Sequence, residues 1–239
     1  MRVTVCAIQT RASLRTGDVQ RMVPEDAQLV VLPAQVQVDG ATLARACNTY
    51  VASRDKLALL HNPDGELILE QPETFGHKLG DSAHVVETEI GKLGLLCGRD
   101  VMRPEVSRAL AIKGATLLVH SSQQLGKFVE MAWLSGLWRE VQANQVFGVE
   151  AARVGDGCEG RSAVLAPLEM TEARNGVLAV ADSDVDECVL VAELDFHERL
   201  AVIDDYPIFN FFNVPLYRKE LIGVECEWPS PAPVTGRLT

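Results

Sequence analysis

Three short, almost wholly apolar segments are the sequence feature that most constrains the fold of this chain. They are Arg2–Ile8, Leu29–Leu32 and Thr116–His120. A strand whose residues are apolar in succession, rather than alternately, is buried on both faces. Two segments with helical spacing, Arg103–Lys113 and Trp133–Asn144, lie among the strand-like ones. This alternation predicts one α/β domain in which helices cover buried sheets.

The composition excludes several classes of protein. Of the 239 residues 47% are hydrophobic, which is enough for a sizeable core, and no apolar run approaches the roughly 20 residues of a membrane span. The 33 acidic residues outnumber the 22 basic ones, and no basic cluster suits nucleic acid. The six cysteines are scattered without a CxxC pair, and the N-terminus does not resemble a signal peptide. We therefore expect a cytoplasmic protein with neither metal nor cofactor, and with no membrane or nucleic-acid partner.

The segment Gly91–Ser122 (GKLGLLCGRDVMRPEVSRALAIKGATLLVHSS) resembles the core of the nitrilase, or carbon–nitrogen hydrolase, superfamily. That core reads G-x-x-G-x-x-I-C-Y-D-x-x-F-P-E, followed by a helix and a strand. Further segments match the family in the same order: Ala7–Gln9, Leu29–Ala34, Trp138–Gly155 and Ala192–Asp195. Together these matches span nearly the whole chain.

The resemblance implies a four-layer α-β-β-α sandwich that assembles as a dimer. It also implies a Glu–Lys–Cys site, in which the Cys thiolate attacks a nitrile, amide or carbamoyl carbon. A thiolate beside a basic group is a strong nucleophile at neutral pH, and a cation stabilises the oxyanion that forms.

This chain departs from that triad at the Glu and Lys positions. The strand that should end in Glu ends in Ala34, which has no proton chemistry. The segment that usually holds the catalytic Lys contains no lysine. The fallback candidate is Lys78, which could reach the site only if the loop were much shorter than in the family. Otherwise Lys78 is a solvated loop residue. The general base is therefore predicted to be absent.

The Cys position depends on the register of the motif. Pro104 follows Gly94 by ten positions, as in the family, so no gap is needed and Gly98 takes the place of the nucleophile. Cys97 then precedes that place by one residue and faces the opposite side of its strand, as a buried structural thiol. A deletion before Cys97, balanced by an insertion after it, would instead make Cys97 the nucleophile.

Four residues beside this position are predicted to line a binding pocket. Arg99 and Asp100 follow Gly98, and His120 and Ser121 end the Thr116–His120 strand or follow it directly. His120 with Arg99 would suit an anion, although a strand-end histidine bonded to backbone is an equally good interpretation. A Ser-His-Asp triad is disfavoured because adjacent Ser and His do not easily pair as nucleophile and base.

The sequence thus favours a non-catalytic binding or regulatory homologue. It would be a dimer with one domain over residues 1–227 and a Pro-rich tail over 228–239, holding a small carboxylate or amide. The alternative is an amidase or nitrilase-type hydrolase that uses a displaced Cys97.

Overall fold

Two six-stranded mixed sheets face each other in the computed structural model of the chain, which describes residues 1–74 and 83–220. The first sheet has the order β12-β1-β2-β3-β4-β5 and the second β11-β10-β9-β8-β7-β6. The strands are β1 Arg2–Gln9, β2 Leu29–Ala34, β3 Tyr50–Arg54, β4 Ala58–His61, β5 Leu67–Gln71, β6 Val85–Thr88, β7 Gly91–Leu96, β8 Leu117–Ser122, β9 Phe147–Ala152, β10 Ala163–Leu165, β11 Val177–Val180 and β12 Cys188–Asp195.

Each sheet has three parallel strands at its centre and antiparallel strands outside them. The parallel sets are β1-β2-β3 and β7-β8-β9. The predicted apolar runs are the central strands β1, β2 and β8, because a parallel strand is covered on both faces. β4 and β5 pair antiparallel through a turn at Asn62–Gly65.

The helices are α1 Thr16–Gln20, α2 Gly40–Cys47, α3 Pro104–Ile112, α4 Glu130–Trp133, α5 Arg139–Asn144, α6 Phe196–Asp205 and α7 Val214–Glu220. Of these, α1 and α2 cover the outer face of the first sheet, and α3 and α5 cover that of the second. Residues of α1 and α2 pack on β1 and β2. Helices α3 and α5 lie close to the second sheet at two glycines, which have no side chain to hold the helices away. Leu110 of α3 packs over Gly94, and Val141 of α5 packs over Gly148.

The main core lies between the sheets and takes side chains from both of them, such as Val5 and Leu29 from the first and Leu93, Val119 and Phe147 from the second. With helices outside each sheet, the architecture is the predicted α-β-β-α sandwich. Among the helices described, none is long and apolar enough to cross a membrane.

Two helices differ from what the sequence predicted. The expected uninterrupted helix over Trp133–Asn144 begins earlier, at Glu130, and is π-helical over Leu134–Trp138. Gly136 has non-helical φ/ψ of −89° and −129°, which a residue without a Cβ tolerates. Helix α6 was not predicted, although Asp195 caps it by accepting hydrogen bonds from the His197 and Glu198 amides.

The chain divides into two compact units, Met1–Pro207 and Ile208–Thr239. In the second unit, a 3₁₀ turn at Ile208–Phe211 precedes α7, and the rings of Phe212 and Tyr217 stack with centroids 4.2 Å apart. The predicted tail over 228–239 lies outside the described residues, and the single domain over 1–227 stays a prediction.

Candidate functional site

Gly98 lies at a sharp turn directly after β7. Leu93, Leu95 and Cys97 point into the core between the sheets. The chain then enters a 3₁₀ turn, Gly98–Met102, in which Gly98 has a φ of +55°. This left-handed conformation favours glycine. The turn stands at the carboxyl end of a parallel strand, which is where α/β sheets commonly bind ligands.

A side chain at Gly98 would extend between two charged groups. An ideal Cβ there would lie 3.0 Å from Glu73 Oε1 and 3.2 Å from Arg54 Nη1. Arg54 ends β3, where it pairs in register with Ala34 at the end of β2. The position at which the resemblance implies a catalytic Glu is therefore next to an arginine on the neighbouring strand.

A cavity of about 530 Å³ opens beside Gly98. Its polar end is formed by residues at or near the ends of β3, β8 and β9, and its other walls are mainly apolar. The lining residues are Arg54, Glu73, Gly98, Arg99, Val101, Met102, His120, Ser122, Gln123, Gln124, Leu125, Ala132, Trp133, Gly136, Leu137 and Glu150. None of these described lining residues is a cysteine or a lysine.

His120 and Glu150 form a buried pair in the polar end, with 5% and 7% of their surfaces exposed. His120 Nε2 lies 3.1 Å from the Gly98 carbonyl oxygen, and Nδ1 lies 3.2 Å from Glu150 Oε1. A carbonyl oxygen only accepts, so Nε2 is the donor to Gly98, and Nδ1 faces the Glu150 carboxyl group. His120 is thus the partner of Glu150 in the described cavity.

Glu73 holds Arg99 in an ion pair. Glu73 Oε1 accepts hydrogen bonds from the Arg99 amide at 2.8 Å and from Arg99 Nε at 3.1 Å. Arg54 is different, because its Nε donates to the Ser121 carbonyl oxygen at 3.0 Å. Within residues 1–74 and 83–220, the terminal Arg54 nitrogens make no hydrogen bond. Of the two arginines in the described cavity lining, Arg54 is therefore the one without a carboxylate partner there.

Cys97 lies in the inner core rather than among the cavity-lining residues. Its side chain is fully buried, and its Sγ donates to the Lys56 carbonyl oxygen at 3.8 Å. Burial raises the pKa of the Cys97 thiol, and the nearby Arg54 guanidinium offsets only part of that rise. A buried thiol with a raised pKa is a poor nucleophile at neutral pH.

The four residues predicted to bind a ligand are divided by the structure. Arg99 and His120 line the cavity. Asp100 is fully buried, and its carboxylate accepts hydrogen bonds from the Thr74 amide and hydroxyl. Ser121 is also buried, and the cavity is lined instead by its strand neighbours His120 and Ser122. Lys78 lies outside the described residues.

Sequence reasoning missed Arg54 and Glu150. Glu150 had a visible signal, because it is a single carboxylate within the apolar strand Phe147–Ala152, and a buried charge in a strand needs a partner. Arg54 had no comparable signal, since an arginine at a strand end is usually solvated. Among the described residues, no cluster of three or more His, Cys, Asp or Glu side chains could hold a metal ion.

Comparisons with known proteins agree with this architecture. A carbon–nitrogen hydrolase from Helicobacter pylori G27 is 19% identical, with a TM-score of 0.75 over 91% of this chain and 98% of the other. The Caenorhabditis elegans NitFhit protein is 20% identical, with a TM-score of 0.76 over 90% of this chain and 66% of the other.

An amidase of the nitrilase superfamily from Nesterenkonia AN1 is 18% identical, with a TM-score of 0.67 over 88% of this chain and 97% of the other. One structure of that amidase carries an acetamide moiety covalently added at its active-site cysteine. At these identities, the three likenesses establish the fold alone.

Sequence comparison establishes the family. No curated protein matches the chain significantly. The profile of the carbon–nitrogen hydrolase family, however, matches residues 34–199, which is well over half of the sequence. With the sandwich fold and the ordered motifs, this match shows that the chain belongs to the carbon–nitrogen hydrolase family of the nitrilase superfamily.

Proposed function

We propose that this chain is a family member that has lost the catalytic triad and uses the remaining cavity to bind a small carboxylate or amide. The observation that carries the proposal is Gly98 at the turn after β7, with a φ of +55° and no side chain between Glu73 and Arg54. The turn that would present a nucleophile is retained, and the nucleophile is replaced.

Covalent hydrolysis in this family needs a group that attacks the substrate carbon. The described cavity lining offers no thiol, and Cys97 is buried in the core between the sheets. Ala34 offers no base at the end of β2, and Arg54 beside it is permanently protonated. Without a thiolate and a base, a covalent acyl intermediate has no route of formation.

What remains is a preformed cavity with a cationic end. Arg54 is anchored by its Nε, so its terminal nitrogens are positioned before a ligand arrives. A guanidinium with that geometry suits a carboxylate, which it can bind through two parallel hydrogen bonds. An amide oxygen can also accept from it, at lower strength because the amide carries no charge.

A hydrolysis assay tests the loss of catalysis. The purified chain is incubated with nitriles, primary amides and N-carbamoyl compounds, with the Nesterenkonia amidase as positive control, and ammonia release is measured. No turnover is expected. Turnover by the wild-type chain would refute the proposal.

The alternative is a hydrolase that uses Cys97, and the same assay addresses it. That alternative predicts turnover that disappears in Cys97→Ala. It also requires a movement that brings the buried Cys97 sulfur to the cavity side of the Gly98 turn. The burial of Cys97 and its bond to the Lys56 carbonyl oxygen favour the non-catalytic proposal.

We further propose that the chain acts as a homodimer, as the family resemblance implies. Sedimentation velocity measured over a range of concentrations tests this, with a mass of about twice the 26.0 kDa chain expected. A monomer at all concentrations would contradict it.

A further inference from the structure

We infer that the cavity beside Gly98 selects a monocarboxylate that carries an apolar group, with its carboxylate on Arg54 and its apolar part against the wall that contains Leu125 and Trp133. The inference rests on the proposed binding function and names the ligand class for that same site. It has three supports, which are the charge of the described cavity, the geometry of Arg54 and the apolar side chains that remain exposed.

Arg54 is the arginine of the described lining that has no carboxylate partner there. Five ionisable residues line the cavity, namely Arg54, Glu73, Arg99, His120 and Glu150. Glu73 pairs with Arg99, and Glu150 contacts His120, so both carboxylates of the described lining already have partners. A ligand carboxylate would therefore pair with Arg54. A dianion would bring an excess negative charge beside Glu73, and a cation would add to Arg54.

Arg54 also has the geometry of a ligand anchor. Its Nε is held by the Ser121 carbonyl oxygen, and Nη1 lies 3.2 Å from the point where a Gly98 Cβ would stand. The terminal nitrogens therefore face the space left by the absent side chain. A ligand carboxylate there would receive charge-assisted hydrogen bonds, which are stronger than those to a neutral amide.

The cavity also has apolar lining residues, some of which are incompletely covered. Leu125 and Met102 are 75% and 47% exposed, and the half-buried Trp133 adds an aromatic side chain to the lining. A cavity of about 530 Å³ has the size of ordinary small-molecule sites, which bind a ligand through a few polar groups and a larger apolar surface. Burial of an alkyl or aryl group against these side chains would remove apolar surface from water.

Calorimetric titration with a homologous series tests the ligand class. The probes are acetate, butyrate, hexanoate and 3-phenylpropionate, together with 3-phenylpropionamide as the neutral analogue. Affinity is expected to rise about fourfold for each methylene buried, which corresponds to about 0.8 kcal/mol. The amide is expected to bind at least about tenfold more weakly than the matching acid, because it lacks the charge.

Two matched pairs of variants separate the polar and apolar ends. Arg54→Gln should lower the affinity for hexanoate at least about tenfold, whereas Arg21→Gln, the same change at an exposed site beside α1, should not. Leu125→Ser should weaken hexanoate more than acetate, whereas Val191→Ser on the exposed part of β12 should weaken neither. Leu125 is exposed, so its replacement is not expected to affect folding.

Each contrary result has a distinct meaning. Three results would overturn this inference without affecting the proposed loss of hydrolysis. The acid and the amide could bind equally without turnover, the affinity could fail to rise with chain length, or no acid could bind at all. Release of ammonia from 3-phenylpropionamide would refute the proposed function instead. Weak binding of hexanoate by both Arg54→Gln and Arg21→Gln would show a nonspecific charge effect, which also overturns the inference.

Discussion

Replacement of Gly98 by cysteine would place a thiol at the turn after β7 and directly tests which residue faces the cavity. Two effects should lower the stability of the variant. A residue with a Cβ at a φ of +55° is strained, which lowers the free energy of unfolding by about 1–2 kcal/mol. The new Cβ would also lie 3.0 Å from Glu73 Oε1 and 3.2 Å from Arg54 Nη1, but both are ends of flexible side chains that can move a few tenths of an ångström. We expect Gly98→Cys to fold with an unfolding free energy lower by about 1–2 kcal/mol.

The thiol of Gly98→Cys should react much faster than that of Cys97. The new side chain would enter the cavity beside Arg54, whereas Cys97 is fully buried and reacts only when the structure opens. An opening free energy of about 3 kcal/mol already slows a reaction about a hundredfold. The assay is alkylation by iodoacetamide near neutral pH, followed by peptide mass spectrometry.

Gly98→Ala is the matched control for that experiment. It has the same backbone strain, and only Cys97 can react in the peptide that contains both positions. Its labelling rate is therefore the baseline for Cys97. Equal rates in Gly98→Cys and Gly98→Ala would refute the assignment of Gly98 to the cavity side. Turnover of amides by Gly98→Cys is not expected, because Ala34 still provides no base.

Three further predictions concern the site and its supports. Glu73→Gln should raise the affinity for a dicarboxylate such as succinate about fivefold, because it removes a negative charge from the cavity lining; calorimetry that shows no gain would contradict the role given to that charge. Gly148→Ala should lower the free energy of unfolding by about 1–3 kcal/mol, since the new Cβ would lie 2.5 Å from Val141, and urea unfolding measures it. Burial lowers the pKa of His61 from its ordinary 6.5, so the unfolded chain binds the proton more readily. The free energy of unfolding should therefore fall as the pH drops from about 6.5 through the lowered pKa, and His61→Gln should remove that part of the pH dependence.

The strands and the position of Gly98 could be predicted because their signals are local. A continuous apolar run predicts a strand covered on both faces, and the unbroken spacing between Gly94 and Pro104 predicts glycine at the turn. The helix beginning at Glu130 was less predictable. Its apolar spacing indicates a helix, but the kink at Gly136 depends on backbone angles that the spacing does not contain.

The residues predicted to line the pocket were harder to predict. Arg99 and Asp100 are adjacent in sequence and were both predicted to line the pocket, yet Arg99 lines the cavity and Asp100 is buried with Thr74. In a 3₁₀ turn, successive side chains point in different directions, so adjacency in sequence does not imply a shared site.

The sequence by itself determined the family and the sandwich architecture, and it predicts Ala34 and Gly98 at the positions where the family resemblance implies catalytic side chains. Only the tertiary structure decided what faces that space, because Arg54, Glu73 and Glu150 reach it from separate elements. Their charges act through distances of a few ångströms that are set by the packing of two sheets, and chain order does not encode those distances. For that reason the position of Arg54, without a carboxylate partner among the described residues, became apparent only in the folded molecule.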